Sequence, residues 1–248
     1  MKNIFIIARR DLRAQFNSPV AYVVLGGSML LLGVLVFWVQ TSLIGRYWEI
    51  DRASVVPMFI YLPWLMSVFV IPAVTMRSMA AEKASGTLEL LITMPVRDSE
   101  VILGKYFAAL AMVLVLLAST LIYPLAMFWQ PWQLGALDWG PVATGYLGCT
   151  LFSAAGVGIG MMLSSLTESE VMAFFMTLTS LFALYFIGSI VSLVPGAIAD
   201  AISFISFQSR YQSFAVGLID TRAVVYFLSV TVLCLLVAFR SLESRKWS

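Results

Sequence analysis

Residues 77–96, RSMAAEKASGTLELLITMPV, decide how the chain is read. The stretch is charged and amphipathic, and it lies between two uncharged apolar runs, 55–76 and 106–128. Crossing a bilayer takes about 20 apolar residues, and both runs qualify. A polar link of this length exceeds a turn, and its pattern predicts a short helix at the membrane surface. Leu88, Leu91, Ile92 and Pro95 recur at intervals of 3, 1 and 3, a helical stripe. Gly86 is placed to open that helix, with Glu89 three positions on, where a carboxylate suits the positive end of the helix dipole. Pro95 limits its end. Glu82, Lys83 and Glu89 are then available to a soluble partner that pushes on a membrane domain. A solvated linker helix joining two spans would show the same pattern.

The composition agrees with a membrane setting. Of 248 residues, 61% are apolar and 11% charged, with a mean hydropathy of +0.95; soluble domains run about 45–50% apolar and about 25% charged. Uncharged runs occur at 20–39, 55–76, 106–128, 141–166, 171–194 and 223–239. They predict an all-α polytopic protein of six membrane helices, a single membrane domain over 1–248 with no soluble domain left over. Six spans place both termini on one side. That side then holds Lys2, Arg9, Arg10, Arg13, Arg77, Lys83, Arg97, Lys105, Arg240, Arg245 and Lys246, and the other only Arg46, Arg52, Arg210 and Arg222. Eleven cations against four predict cytoplasmic termini by the positive-inside rule. A cleaved signal peptide fits the first run poorly, because the run is long and no A-x-A-like site follows it. Cys149 and Cys234 fall within spans, where thiols usually serve as small packing residues.

Several function classes drop out. The chain has no histidine, which removes His-based zinc sites, haem ligation by His and Ser-His catalysis. It has no G-x-x-x-x-G-K-[ST] phosphate loop; Gly104-Lys105 is followed by Tyr106. No catalytic residue, metal site or nucleic-acid partner is expected. None of the six runs contains Asp, Glu, Lys or Arg, the residues that proton pumps and ion-coupled transporters place in the membrane. A membrane domain driven from outside remains, or one that opens passively.

Other segments add detail. Residues 1–17 predict an amphipathic surface helix with Ile4, Phe5, Ala8, Leu12 and Phe16 on one face and Arg9, Arg10 and Arg13 beside it. Ser18-Pro19 ends it, since the residue before proline avoids the α region. An ordinary basic flank would also account for these charges. Pro57, Pro63 and Pro72 predict a bent or broken second span. In the fourth, Gly156, Gly160 and Ser164 form a small-residue stripe that permits close helix approach, within the subunit or across a dimer. Thr167-Glu168-Ser169-Glu170 matches a capping box opening the fifth span. Residues 195–221 are too short for a domain and too apolar and aromatic for a loop. Short helices re-entering the outer leaflet fit them best.

Four segments together, RRDLRAQFNSPVAYV, PAVTMRSMAAEKASGTLELLITMPV, SLTESEVMAF and YQSFAVGLIDTRAVVYFLSV, resemble the membrane subunit of type-2 ABC exporters. Within that family they look most like the GldF-type permeases named for gliding motility. The E-K-x-x-G-T-L-E-L-L-x-x-x-P block is the most specific part. The resemblance covers nearly the whole chain. It implies a permease in a bacterial inner membrane, partnered by a dimer of separate ATPase subunits that bind ATP and Mg, with no cofactor in this chain. It implies a second permease copy, or a homologous membrane subunit carrying an extracytoplasmic domain. Residues 1–17 would be the connecting helix and 80–96 the coupling helix, with Glu82, Gly86, Thr87, Leu88, Glu89 and Pro95 matching the coupling block. Thr167, Glu168 and Glu170 would make a secondary cytoplasmic contact. Export of a substrate is the implied function; ATP-driven motion passed to a cell-envelope machine, with no solute moved, is the alternative.

Overall fold

Prolines, capping side chains and charged first turns set where each helix begins and ends. A computed structural model describes residues 2–39, 56–86, 97–128, 138–193 and 196–244. The fold is all-helical, and six of its helices are long and apolar enough to span a membrane. Helix α1 (Lys2–Phe16) stops before Ser18, whose backbone is extended, and Pro19 occupies the first turn of α2 (Pro19–Gly33), where its missing N–H costs nothing. The first span ends in a π-helical stretch, Val34–Val39.

The second span does change pitch at its prolines. It runs as α3 (Val56–Leu65), a π-helical turn (Met66–Val70) and α4 (Ile71–Thr75). Pro63 lies inside α3 and Pro72 in the first turn of α4. Proline cannot donate to the ladder; the chain widens here, and the Ile71 N–H reaches the Met66 carbonyl five residues back. The Ser67 hydroxyl donates to the Pro63 carbonyl at 2.8 Å and the Thr75 hydroxyl to that of Ile71 at 2.8 Å. A turn at 76–78 leads into α5 (Ala80–Ala84).

The third span begins earlier than its apolar run. Arg97 is extended and α6 (Asp98–Thr120) starts at once, with Asp98 and Glu100 in its first turn where the dipole favours carboxylates. Lys105 therefore sits inside a helix rather than in a loop. Helix α7 (Ile122–Phe128) extends this span. The fourth is α8 (Trp139–Leu166), capped by the Asp138 carboxylate, which accepts from the Gly140 N–H at 3.0 Å. The fifth, α9 (Glu170–Phe186), continues as a 3₁₀ stretch, Ile187–Leu193. Two short helices, α10 (Ala197–Ile205) and α11 (Phe207–Ala215), precede the last span, α12 (Thr221–Ser244).

The fifth span is capped differently from the sequence expectation. Its N-cap is Ser169, which accepts from the Met172 N–H at 3.4 Å, while Thr167 is extended and accepts from the Ser169 N–H at 3.1 Å. The shift of two residues places Glu170 at the first helical position, and its carboxylate reaches Arg77 instead of a backbone N–H.

Spans two, three and four form the centre, 67%, 61% and 67% buried over their apolar windows, against 22%, 22% and 28% for spans one, five and six. The small-residue stripe of α8 explains the tight centre. A methyl on Gly156 would lie 2.6 Å from Ile71, and one on Gly160 would lie 2.3 Å from the Thr75 hydroxyl. The stripe therefore packs within the chain, against the second span. Midway along α8, one turn before Gly156, Phe152 stacks edge-on with Phe207, Tyr211 and Phe227, all buried. Helix α11 thus folds back onto the bundle.

Candidate functional site

Helix α1 lies across the start of α6. Ile7 is buried, and a methyl on Gly104 would fall 2.8 Å from its side chain, so glycine lets the two helices touch. The Asn3 amide donates to the Glu100 carboxylate at 2.9 Å. Within the chain Ile7 is the buried residue of α1, while Phe5 and Ile6 are exposed together with Arg9, Arg10 and Arg13. Leu12 and Phe16 do pack against the core.

One turn further along α6, Lys105 is 3% exposed. Its ammonium donates to the Glu82 carboxylate at 2.6 Å and to that of Asp11 at 3.2 Å. Arg10 adds a second cation, 2.8 Å from Asp11 and 3.5 Å from Glu82. Two cations and two carboxylates balance, which is what burial of charge requires. The cluster ties together three elements distant in sequence: α1, α5 and α6. Behind it lies a cavity of ≈ 200 Å³, bordered by Gln15, Ala21, Val74, Arg77 and Met112 as well as by the cluster itself.

Two further links anchor α5. The Ser164 hydroxyl accepts from the N–H groups of Met79 at 3.2 Å and Ala80 at 3.0 Å, which meets the orphan donors at the start of α5. The Lys83 ammonium donates to the Ser165 carbonyl, which also accepts from Ser241 at 3.0 Å. That carbonyl is in the last turn of α8, where the dipole favours a cation. The third member of the small-residue stripe, Ser164, is thus a hydrogen-bonding post as well as a packing residue. Alongside, Arg77 pairs with Glu170 at 2.9 Å and donates to the Ser18 hydroxyl at 3.2 Å. Glu168 is exposed beside this bridge.

Helix α5 ends at Gly86, whose φ of +68° is the left-handed conformation that glycine adopts without strain. Its N–H donates to the Lys83 carbonyl at 3.1 Å. Gly86 therefore closes α5; the helix that the sequence pattern has it opening lies outside the described residues. Of the coupling block, Glu82 and Gly86 stand in this assembly. Thr87, Leu88, Glu89 and Pro95 lie outside the described residues.

The sequence reading missed the partners of Glu82. Asp11 is the lone acid in a basic helix, and in sequence Lys105 reads only as one of the cations on the side of the termini. The signal was there in principle: an acid beside three arginines, and a lysine seven residues into a helix whose first turn holds Asp98 and Glu100.

Residues 19–240 match the family model described as ABC-2 family transporter protein. The chain belongs to the ABC-2 family. It is a multi-pass membrane subunit of an ABC transporter, of the kind that typically partners an ABC ATPase. No curated protein matches the chain. Residues 2–18, with Arg10 and Asp11, precede the matched region of this ABC-2 permease; Glu82, Lys83 and Lys105 lie within it.

Proposed function

We propose that this permease exports a substrate across a bacterial inner membrane, driven by a separate ATPase dimer that binds ATP and Mg. The observation that carries the reading is the Lys105–Asp11–Glu82 cluster, which joins α1 and the helix leading into residues 87–96 to the third span. A push on 80–96 would travel through Glu82 to α6 and α1, and through Lys83 and Ser164 to α8. Residues 80–96 act as the coupling segment that the ATPase engages, with Thr87, Leu88, Glu89 and Pro95 as its contact block. Thr167, Glu168 and Glu170 form a secondary contact, fixed to the second span by Arg77. The cation count supports cytoplasmic termini and a cytoplasmic position for this face. The quoted coupling block favours the GldF-like branch, with a second copy or a homologous membrane subunit completing the pathway.

ATP would close the ATPase dimer, the coupling helices would move with it, and the interface between the two permeases would open outward along the first, second and fifth spans. Two of these, spans one and five, are the least buried within the chain, as surfaces that meet a partner must be. The test is transport and ATP hydrolysis in proteoliposomes for Glu89→Gln and Leu88→Gly. Both variants should hydrolyse ATP while transport falls at least tenfold. Unchanged transport per ATP in both would remove the assignment.

A further inference from the structure

At the end of the membrane domain opposite α1, two arginines border one groove. Arg210 on α11 lies over the Phe204 ring at 4.6 Å and the Tyr226 ring at 5.6 Å, and its Nε donates to the Phe204 carbonyl at 3.4 Å. This stacking holds the guanidinium plane in place. Arg222, in the first turn of α12, borders the same groove. The nearby Asp220 carboxylate is used as a cap, accepting from the Arg222 backbone N–H at 2.9 Å. Among the described residues neither guanidinium forms an ion pair.

The groove below them holds ≈ 690 Å³ and is lined down α12 by Val225, Ser229 and Leu233. Val225 and Leu233 are more than half exposed. From Thr221 to Leu233 the groove descends about 18 Å at about 1.5 Å per residue, close to the roughly 15 Å of hydrocarbon in one leaflet. A cationic fork above an apolar channel one leaflet deep has the shape and charge of a phospholipid. Guanidinium forks match phosphate oxygens in geometry.

We infer that Arg210, Arg222 and the groove along α12 bind one anionic phospholipid, its phosphate on the two arginines and an acyl chain beside Val225 and Leu233. The ligand is a resident lipid of the leaflet facing this end. A free phosphate would leave the groove unfilled.

Native mass spectrometry of the purified full chain, titrated with phosphatidylglycerol or phosphatidylcholine, tests this. Wild type should retain one tightly held phosphatidylglycerol in preference to phosphatidylcholine at this site. Arg210→Gln/Arg222→Gln should lose that molecule, with affinity falling roughly fivefold for each arginine. Arg9→Gln/Arg13→Gln, at the other end, should keep it. In wild type, added salt should weaken the preference and inorganic phosphate should not displace the lipid. The proposal is overturned if the arginine pair changes nothing, or if inorganic phosphate alone displaces the lipid. It is equally overturned if wild type shows no headgroup preference, or if the face is covered by a second copy that excludes lipid. The salt response of wild type decides the matter even if the double variant fails to fold.

Discussion

The two ends of this membrane domain are held by different physics. At the α1 end, the helices meet through ions and hydroxyls: Lys105 with Asp11 and Glu82, Lys83 on the Ser165 carbonyl, Arg77 with Glu170. At the α11 end they meet through interlocking rings, Phe152 against Phe207, Tyr211 and Phe227. Aromatic interlocks depend on close packing and lose energy with any displacement. Ion clusters can exchange partners at smaller cost if new charges are supplied. The difference fits a body that is stiff at one end and responsive at the end where a partner is proposed to push.

Breaking the aromatic end should have the largest effect. Phe152→Ala removes a fully buried ring and should cost about 3–5 kcal/mol, seen as a lower melting temperature in detergent and loss of monodisperse protein. Lys105→Met comes next. It leaves Asp11 and Glu82 with only the half-exposed Arg10 as their cation, and removal of one partner from a buried pair costs about 3–5 kcal/mol. Both carboxylates keep some water, 16% and 23% exposed, so about 2 kcal/mol is expected here. The comparison sharpens if Glu82→Gln/Asp11→Asn restores the stability lost in Lys105→Met. Transport per ATP should stay low in that triple variant if the charges carry the motion.

Two smaller effects follow. Gly160→Ala should destabilise by about 1–3 kcal/mol, because the new methyl collides with Thr75 on the second span. The same substitution at Gly26, which faces open space, should be close to neutral. Arg77→Ala should change the melting temperature little, since an exposed pair is worth about 0–1 kcal/mol. Its effect should appear in coupling instead, if the Arg77–Glu170 link passes motion to the fifth span. Titration should separate the ends too. Burial pushes the Tyr211 phenol well above its usual range, so the aromatic end should keep its stability up to about pH 10 and lose it only above that.

The fold was legible because the bilayer imposes a length rule on apolar runs, and all six appear as helices within a few residues at most ends. The exceptions have local causes. The third span starts early at Asp98 because carboxylates in a first turn and a paired lysine make a polar helix start affordable. The fifth is capped at Ser169 because Arg77 draws Glu170 away from the backbone. The site was only half legible. Glu82 stood out through the coupling block, and the Gly156–Gly160–Ser164 stripe through its spacing. Asp11 and Lys105 are 94 residues apart in sequence, and no local pattern reports such a pairing. Nor could spacing alone show that Gly86 closes α5; its positive φ does.

Native affinity purification of the full chain in mild detergent, with mass spectrometry of everything retained, tests the central claim most directly. An ABC ATPase should be recovered with wild type and lost when the coupling segment is disrupted by Leu88→Asp, while Lys105→Met should retain it. Recovery of this chain alone from every detergent, in wild type, would contradict the account.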